Sequence, residues 1–371
     1  MSAEDKSLLE RIELPSIPRE AQSKISHVQE ELERAEVEQM RRSVALFAPI
    51  FKKREEIISL PSVKPDFWAR VFSSAPPEVD EYVLDDDAAI IGEGLKGLTV
   101  EHFEVDAQGN GEPRSLRFTF EFDPEENSYF DNAKLVKEFY WRKQVLKTSS
   151  GKRRVWEGLV SDPVRINWKQ AELDPTKGLL DAACDLFDAE KKKKGGDRKK
   201  LPEYASLVQK LELLEAEAMK DDADMEDEDA ELPEDEDESP AGVSFFSFFG
   251  YRGRDISAEQ NKQAVKEDEE RWVKISKGEE VPEDADDDED DEDEDFELLA
   301  DDLEDAEIFT DGEELAIALA EDLWANALKY YAQSFETNFD FEDLEMEELD
   351  EMDEDEEEEE QEEPPAKKAR N

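Results

Sequence analysis

The acidic residues of this chain are collected into three blocks, and these blocks decide which parts of it can fold. Asp221–Glu238 has 13 acidic residues in 18 positions, Glu283–Asp295 has 12 in 13, and Asp340–Glu363 has 18 in 24 with no Lys or Arg. Blocks of like charge repel, and they bury too little apolar surface to offset the chain entropy lost on folding. We therefore expect all three to be disordered.

The rest of the chain has the composition of a folded protein. Of its 371 residues, the first 180 carry 26 Lys+Arg and 34 Asp+Glu, a net charge of −8, whereas residues 181–371 carry 20 and 72, a net charge of −52. Removing the acidic blocks and their flanks leaves roughly 240–260 residues, which is enough for one sizeable hydrophobic core.

The net charge of −60 restricts the partners that this chain can bind. Nucleic-acid phosphates would be repelled, and the counterion release that drives DNA binding would be missing, so we expect no direct nucleic-acid binding. A strongly basic protein fits such a surface, with histones the first choice and ribosomal proteins the second.

The sequence predicts a soluble intracellular protein without a membrane segment. No stretch approaches 18 consecutive apolar residues. The N-terminus lacks the basic segment followed by an apolar one that marks a secretory signal. Cys184 is the single cysteine, so an intrachain disulfide is excluded and a reducing compartment is expected.

The residues that catalysis and cofactor binding require are scarce. His27 and His102 are the two histidines; His27 falls on the polar side of a predicted helix and His102 in a predicted strand, so both are interpreted as surface or packing residues rather than as a general base. Phosphate-binding glycine loops, paired C-x-x-C motifs and the H-E-x-x-H motif are missing. We therefore predict that the protein is not an enzyme and has no catalytic residue, cofactor or dedicated metal site.

Residues 18–60 are predicted to form one long helix, after a flexible N-terminus at 1–17. A helix of about 42 residues is roughly 60 Å long and projects beyond a domain of this size. Its apolar seam then needs a second copy to cover it, so we predict a homodimer. The predicted dimerisation residues are Ile25, Val28, Leu32, Ala35, Val44 and Phe47. Alternatively, Pro49 breaks the helix near Phe47 into two helices that pack within one subunit.

Residues 61–177 are predicted to be the first part of an α+β domain. A short helix is expected over 66–72, and residues 78–91 are a further helix or a loop. The apolar spacing then changes to alternation, which predicts an antiparallel sheet because short turns, and no crossover helices, join the strands. The predicted strands are Thr99–Val105, Leu116–Phe122 and Lys134–Trp141, with a fourth from Arg153–Leu159 or Val164–Trp168.

The second half of the chain alternates charged and apolar segments. Residues 178–240 are interpreted as a charged and acidic insertion. Residues 241–335 are the second part of the domain, with an acidic insertion at about 280–305, and the apolar Phe245–Gly250 is predicted to pack into the domain or into an interface. A last amphipathic helix is predicted over Asp311–Tyr331, and residues 336–371 are an acidic tail that ends in a basic run. The residues predicted to share the inner face of this helix are Leu315, Leu319, Leu323 and Leu328.

Two short basic runs are candidates for nuclear import signals. They are Lys191, Lys192, Lys193 and Lys194, and Lys367, Lys368 and Arg370. The alternative interpretation is that each is a solvated charged loop. If the runs are signals, the protein is nuclear and shuttles with the cytoplasm.

Four segments resemble the nucleosome assembly protein family. Phe118–Asp123 followed by Asn127–Glu138 is similar to its central hairpin, and Phe245–Phe249 to its Phe-rich motif. Asp311–Tyr331 resembles the last helix of the SET-like branch, as does Pro49–Ile58. The resemblance implies a homodimer through a long N-terminal helix, a concave earmuff-type domain of sheet and helices, and a disordered acidic tail. It also implies histone chaperone activity without ATP.

The resemblance directs attention to acidic residues that could bind core histones and shield them from DNA. On the last helix these are Glu313, Glu314, Glu321 and Asp322, and in the tail they are Glu354, Asp355 and Glu356. The four helix residues could equally be an ordinary solvated face. The family also allows a SET-like regulatory inhibitor of an enzyme such as a protein phosphatase, which co-purification at high salt would reveal. Residues 178–240 and about 255–305 are longer than is usual in the SET-like branch.

Overall fold

The computed structural model describes residues 19–147, 153–193, 196–225, 243–277, 279, 281 and 303–336. The predicted N-terminal segment 1–17, Glu283–Asp295 and the tail from 337 onward lie outside these residues. The same holds for the predicted site residues Glu354, Asp355, Glu356, Lys194, Lys367, Lys368 and Arg370. The described part is an α+β structure with a long first helix, as predicted.

Helix α1, Arg19–Ile58, is continuous over 40 residues, so the alternative of two helices broken near Phe47 is wrong. Pro49 lies inside α1 and cannot donate the backbone hydrogen bond expected at that position. The last turns remain helical because their inner side is anchored: Arg54 and Ile58 are buried against the domain, and Phe51 packs there in part.

Three short helices follow α1 and lead to the sheet. They are α2, Phe67–Phe72; α3, Pro77–Asp80; and α4, Asp85–Gly94. Helix α2 is confirmed close to its predicted limits, and it buries Phe67, Trp68, Val71 and Phe72. The region predicted as a helix or a loop is two helices, α3 and α4, which begin after Pro76 and Leu84.

Within the described residues, four strands form an antiparallel sheet in chain order. They are β1, Leu95–Glu101; β2, Leu116–Phe122; β3, Lys134–Lys147; and β4, Arg153–Ser161. Of the two candidates for the fourth strand, the first is β4. The second contributes only an isolated bridge between Trp168 and Phe130. Strand β1 begins four residues before the prediction.

Strand β3 is six residues longer than predicted, because its second half has a different neighbour from its first. Pairing with β2 ends at Leu116 and Phe139, whereas pairing with β4 continues to Lys147 and Arg153. The extra residues therefore form a two-stranded hairpin that extends past the sheet. With one side of the hairpin less buried, the strict alternation of apolar residues stops.

Residues 178–240 were predicted to be an insertion, and the structure corrects this boundary. Helix α5, Leu179–Lys193, buries Leu180, Ala183 and Leu186 in the same hydrophobic core as the sheet. Helix α6, Pro202–Met225, packs against α5 through Leu207 and contains the first residues of the first acidic block. The folded domain therefore includes α5 and the start of α6.

The Phe-rich segment Phe245–Gly250 is a short 3₁₀ helix at the centre of the core, as predicted. Its start is fixed by the buried Asp87 carboxylate, which accepts hydrogen bonds from Ser244 Oγ at 2.6 Å and from Phe245 N–H at 2.8 Å. Its end is fixed by Lys137 on β3, whose Nζ donates to the carbonyls of Asp162, Phe249 and Tyr251 at 3.0, 3.1 and 2.6 Å. The two charged groups hold an apolar helix in one position.

Helix α7, Ala258–Ser276, connects α1 to the β3–β4 hairpin. The Asp268 carboxylate lies 2.9 Å from Arg34 of α1, 3.0 Å from Lys143 of β3 and 2.8 Å from Arg153 of β4. Trp272 stacks on His27 with ring centroids 5.1 Å apart. Helix α7 therefore braces the N-terminal half of α1 against the body of the domain.

The last helix, α8, begins at Gly312–Ile317, widens into a π-helical turn at Ala318–Trp324 and is helical again over 327–336. Leu315, Leu319 and Leu323 are buried as predicted, but Leu328 is 37% exposed and Ala327 takes the inner position. The prediction was wrong because Leu323 and Leu328 are five positions apart, which turns the second side chain about 140° away from the first.

Candidate binding surfaces

The predicted acidic residues of α8 do not all face solvent. Glu314 and Glu321 are exposed. Asp322 is half-buried and accepts a hydrogen bond from Asn326 Nδ2 at 2.8 Å. Glu313 is also half-buried, and its Oε2 accepts the Leu159 N–H of β4 at 3.1 Å. These contacts leave Glu314 and Glu321 as the two carboxylates of the set that are most available to a partner.

Glu313 serves the fold directly. Burial raises the pKa of this carboxyl, while the Leu159 N–H lowers it and the neighbouring Glu314 raises it again. An engaged carboxylate with this environment has little capacity left for a basic ligand. Histone contact by Glu313 stays a prediction. The structure gives the side chain a different role, which is to accept the hydrogen bond of the Leu159 N–H.

Helix α3 and the turn after it bring further carboxylates to α8. Tyr82 donates a hydrogen bond to Asp311, and the pKa of Tyr82 is raised by burial and then by Asp311, Glu81 and Glu314. These three carboxylates therefore act on one phenol from two segments of the chain. The contact joins the start of α8 to the region of α3.

A second tyrosine makes a similar link towards the middle of α8. Burial raises the pKa of Tyr330 to about 12, together with its hydrogen bond to Asp322 and the negative charge of Glu78. Glu78 lies in α3, while Asp322 lies in α8. We call the set Glu78, Glu81, Asp311, Glu314, Glu321 and Asp322 the acidic surface.

Three of the six residues of the acidic surface, Glu78, Glu81 and Asp311, were not predicted from the sequence. Glu78 and Glu81 stand more than 200 positions from α8, and nothing in their local pattern distinguishes them from other surface acids. Tyr82 and Tyr330 are buried aromatic residues with a polar end, which usually indicates a hydrogen-bond partner. The need of a buried tyrosine hydroxyl for a hydrogen-bond partner was the one signal of this surface in the sequence, and it does not identify the partner residue.

The long helix carries an exposed apolar seam. At about 100° per residue, its members fall within a sector roughly 60° wide. They are Ile25, Val28, Leu32, Leu46, Ile50 and Ile57, and each is at least 44% exposed. Of the predicted dimerisation residues, Ile25, Val28 and Leu32 belong to the seam, and the exposed Ala35 and Phe47 lie at its edges. Val44 is half-buried instead, whereas Leu46, Ile50 and Ile57 were not predicted.

The seam and the residues that attach α1 to its own subunit occupy opposite sides of the helix. His27, Glu30 and Arg34 contact α7, and Arg41 Nε donates to the Gly111 carbonyl in the turn between β1 and β2 at 3.0 Å. On the helical wheel this second sector is centred about 160° from the seam. The subunit therefore covers one side of its own helix and leaves the apolar side uncovered.

The first basic run lies at the C-terminal end of α5. Lys191, Lys192 and Lys193 are helical and exposed. Lys191 lies 3.3 Å from Asp162 and over the ring of Phe187 at 3.9 Å. A receptor that binds an extended basic segment would have to unwind this last turn first. The import role of these lysines stays a prediction.

Metal binding and membrane insertion find no support in the part of the chain that the structure describes. No group of three or more His, Cys, Asp or Glu side chains in the described ranges is arranged to hold a metal ion. Among the same residues, no helix has both the length and the apolar composition needed to cross a membrane.

Comparison with known proteins identifies the family of the chain. The family model described as nucleosome assembly protein (NAP) matches residues 61–334, which is most of the chain. The chain belongs to the nucleosome assembly protein family. This is a family of chaperones rather than of enzymes. The matched residues include the sheet, the Phe-rich segment and α8.

Two relatives illustrate the family membership. One is a Schizosaccharomyces pombe protein that carries a nucleosome assembly protein name, 30% identical over 145 residues, or 39% of this chain and 56% of that protein. The other is Protein SET of Drosophila melanogaster, 28% identical over 151 residues, or 41% of this chain and 47% of that protein. The chain thus matches about half the length of these curated relatives, and the SET-like branch is among them.

Solved structures of low sequence identity are also similar to this chain. The crystal structure of Ccp1 is 21% identical, covers 85% of this chain and 96% of that one, and has a TM-score of 0.44. Nucleosome assembly protein S from Plasmodium falciparum is 21% identical, covers 42% of this chain and 77% of that one, and has a TM-score of 0.23.

Proposed function

We propose that the protein is a homodimeric histone chaperone that binds core histones through acidic surfaces, shields them from DNA and assists nucleosome assembly. Its membership of the nucleosome assembly protein family is the observation that carries this proposal. The net charge of −60 supports it, because carboxylates that occupy histone Lys and Arg side chains exclude DNA from the same groups. We place this activity in the nucleus, with shuttling to the cytoplasm.

The acidic surface is our candidate for the specific part of histone binding. A flexible polyanion attracts any polycation, so it gives affinity without much selectivity. Carboxylates held at fixed positions can instead match the arrangement of basic side chains on a folded partner. Glu314 and Glu321 are exposed on a helix whose neighbours are buried, which supports their use as fixed contacts.

The charge of α1 supports dimerisation in an antiparallel orientation. Residues 19–39 contain six acidic and three basic side chains, whereas residues 40–58 contain two acidic and five basic ones. Antiparallel pairing places each negative half beside a positive half, while parallel pairing would bring like charges together. The same arrangement covers the whole seam of both subunits.

A double substitution tests the acidic surface. Glu314→Gln with Glu321→Gln is expected to weaken binding of purified, folded core-histone complexes by about tenfold near physiological salt. The control is Glu259→Gln with Glu267→Gln, two exposed acids on α7 that carry the same loss of charge. Affinities are measured by fluorescence titration. Equal losses of affinity in both variants would show that the acidic surface contributes only through net charge.

Removing Asp340–Asn371 separates affinity from selectivity. The truncated protein is expected to bind histones more weakly and with less dependence on salt, because many carboxylates are lost. It is expected to keep its preference for histones over a generic basic protein. Loss of all preference would place selectivity in the tail and contradict the role of the acidic surface.

Dimerisation is tested at the seam. Val28→Asp with Leu32→Asp is expected to give a folded monomer at micromolar concentration, measured by light scattering and circular dichroism. The control is Val136→Asp, because Val136 is 40% exposed on the outer face of the sheet. A wild-type protein that is itself monomeric would rule out the homodimer.

A further inference from the structure

One isoleucine is exposed among the carboxylates of the acidic surface. Ile317 of α8 is 39% exposed. Within residues 312–324 of this helix, the other two exposed side chains are Glu314 and Glu321, three positions before Ile317 and four positions after it. Residues at these spacings are neighbours on a helix surface. The three side chains therefore share one face of α8, and the apolar one lies in the middle.

The backbone that carries Ile317 is held in place by the core. Leu315, Ala316 and Leu319 are fully buried on either side of it. The π-helical turn Ala318–Trp324 begins at the next residue, and such turns occur frequently at functional sites. A partner that contacts Ile317 therefore meets a side chain on a fixed backbone, and little of the protein has to become ordered on binding.

An apolar side chain between two carboxylates is complementary to a ligand of matching chemistry. Glu314 and Glu321 are seven positions apart, which is about 10 Å along the helix axis. The complementary ligand has an aliphatic side chain between two Lys or Arg side chains with a similar separation. An amphipathic helix provides this arrangement when its two basic residues are also seven positions apart on one face.

The apolar contact adds selectivity that carboxylates alone do not have. A polyanion attracts any polycation. Ile317 gains free energy only from a partner that brings an apolar group to the same point of the surface. Contact between the two apolar groups also excludes water from the ion pairs beside them, and opposite charges attract each other more strongly where water is excluded.

We infer that Ile317 is a specificity-determining residue of the acidic surface, and that its ligand is a basic amphipathic helix with an aliphatic side chain between two basic ones. This role rests on the histone binding proposed above and adds the feature of the cargo that the surface selects. A polycation without an apolar residue at that point, such as polylysine, can pair with Glu314 and Glu321 but gains nothing from Ile317.

Salt dependence separates the apolar contact from the ionic ones. Ile317→Ala is expected to weaken binding of purified, folded core-histone complexes about fivefold at every salt concentration, because salt does not screen an apolar contact. The loss in Glu314→Gln with Glu321→Gln is instead expected to shrink as salt rises, since these substitutions remove ion pairs. Alanine favours the helix, and circular dichroism verifies the fold. A loss in Ile317→Ala that disappears at high salt would overturn its role.

The matched control is Val273→Ala on α7. Val273 is 43% exposed, and the exposed Glu269 and Glu270 precede it by four and three positions. It thus combines an apolar side chain with acidic neighbours outside the acidic surface. This substitution is expected to leave the histone affinity within about twofold of the wild type. An equal loss in Val273→Ala and Ile317→Ala would show that Ile317 has no special position.

Two synthetic peptides test the chemistry of the ligand. Both are Ala-rich helices with two lysines seven positions apart, and the residue three positions after the first lysine is leucine in one and serine in the other. The wild-type protein is expected to bind the leucine peptide about fivefold more tightly, measured by fluorescence anisotropy, and Ile317→Ala to bind the two within about twofold of each other. Equal binding of both peptides by the wild type would contradict the proposed ligand.

The outcomes distinguish the role of Ile317 from the proposed function. If Glu314→Gln with Glu321→Gln weakens histone binding and Ile317→Ala does not, the acidic surface stands and the role of Ile317 is wrong. If neither variant differs from the wild type, histones bind elsewhere on the chain and both proposals fail together.

Discussion

Glu313 and Trp324 lie on one helix and satisfy backbone groups at opposite edges of the same sheet. Glu313 accepts the Leu159 N–H of β4 at 3.1 Å, and Trp324 Nε1 donates to the Leu98 carbonyl of β1 at 3.0 Å. The helix is about 16 Å long between these two residues. This length is close to the roughly 14 Å that separates the outer strands of a four-stranded sheet, so one helix can reach both edges. The acidic surface is thus carried by a helix that is fastened at both sides of the domain.

Replacing Trp324 by Phe is expected to destabilise the fold by about 1–3 kcal/mol, because the buried Leu98 carbonyl loses its donor. Urea unfolding monitored by circular dichroism measures the change. The control is Trp141→Phe, since the indole N–H of Trp141 has no acceptor in the described part of the chain. Equal losses of stability in both variants would show that the hydrogen bond to Leu98 contributes nothing beyond indole packing.

Asp87→Asn replaces one of the two carboxylate oxygens that hold the start of the Phe-rich segment by an NH2 group, which cannot accept a hydrogen bond, at an expected cost of about 1–3 kcal/mol. Burial raises the pKa of Asp87, although Ser244 and Phe245 N–H oppose that shift. With a folded pKa above the unfolded one, the stability from this group is fully present below its unfolded pKa and is lost as pH rises through its folded pKa.

Denaturant unfolding at several pH values above 4 therefore tests the role of Asp87. The wild type is expected to lose stability over this range more steeply than Asp87→Asn. The exposed neighbour Asp86 provides the control, and Asp86→Asn is expected to follow the wild type. Parallel curves for all three proteins would contradict the assignment.

Lys137→Met removes one hydrogen bond from each of the carbonyls of Asp162, Phe249 and Tyr251 and is expected to cost about 3 kcal/mol or more. Burial lowers the pKa of Lys137 to about 7. Its stabilising contribution is therefore present above the unfolded value, near 10.5, and is lost as pH falls through about 7. The wild type is expected to become more stable between pH 7 and 9, and the variant to lose that slope.

The control for Lys137 is Lys134→Met on the same strand, where the lysine is exposed and paired with Glu121. Its stability is expected to change by less than about 1 kcal/mol. A similar loss for both lysines would mean that the three carbonyl contacts do not hold the Phe-rich segment.

Asp268→Asn is expected to weaken the contact between α7 and α1, because the Asp268 carboxylate pairs with Arg34. Burial disfavours the ionised carboxylate, but Lys143 and Arg153 hold the pKa of Asp268 below its ordinary value. Losing this charge is expected to reduce the hydrogen-exchange protection of residues 24–41 by about tenfold, with the sheet unaffected. The control is Glu267→Gln, an exposed acid on the same helix. Unchanged protection in Asp268→Asn would show that α7 packs beside α1 without restraining it.

The elements that could be predicted are those with a strong local pattern. Alternation at Leu116–Phe122 and the helical periodicity of α1, interrupted once around 36–39, each predicted the type of element. The Phe-rich segment was predicted to be buried on hydrophobicity alone. The antiparallel order followed from the short turns, one of which needs Gly111, whose φ of +112° disfavours other residues.

The elements that could not be predicted depend on distant parts of the chain. Helix α5 is charged overall, and its core role becomes visible only when Leu180 and Leu186 meet the Phe-rich segment. Val44 lies about 130° from the centre of the seam on the helical wheel, whereas Leu46 lies within the seam, so the helical period already separates the half-buried residue from the exposed one. The acidic surface combines residues of α3 and α8, and no local sequence pattern predicts that these two helices lie close together.

The fastening of the sheet at Leu98 and Leu159 also limits how a partner can be held. Tyr251 Oη donates to the Leu159 carbonyl at 2.9 Å, and Ser161 N–H donates to the Arg252 carbonyl, so the outer side of β4 is occupied at consecutive outward-facing residues. An extended peptide finds no free backbone there to continue the sheet. At these two residues a partner can be contacted only by side chains, so ionic strength or a single charge substitution can change such a contact without altering the fold.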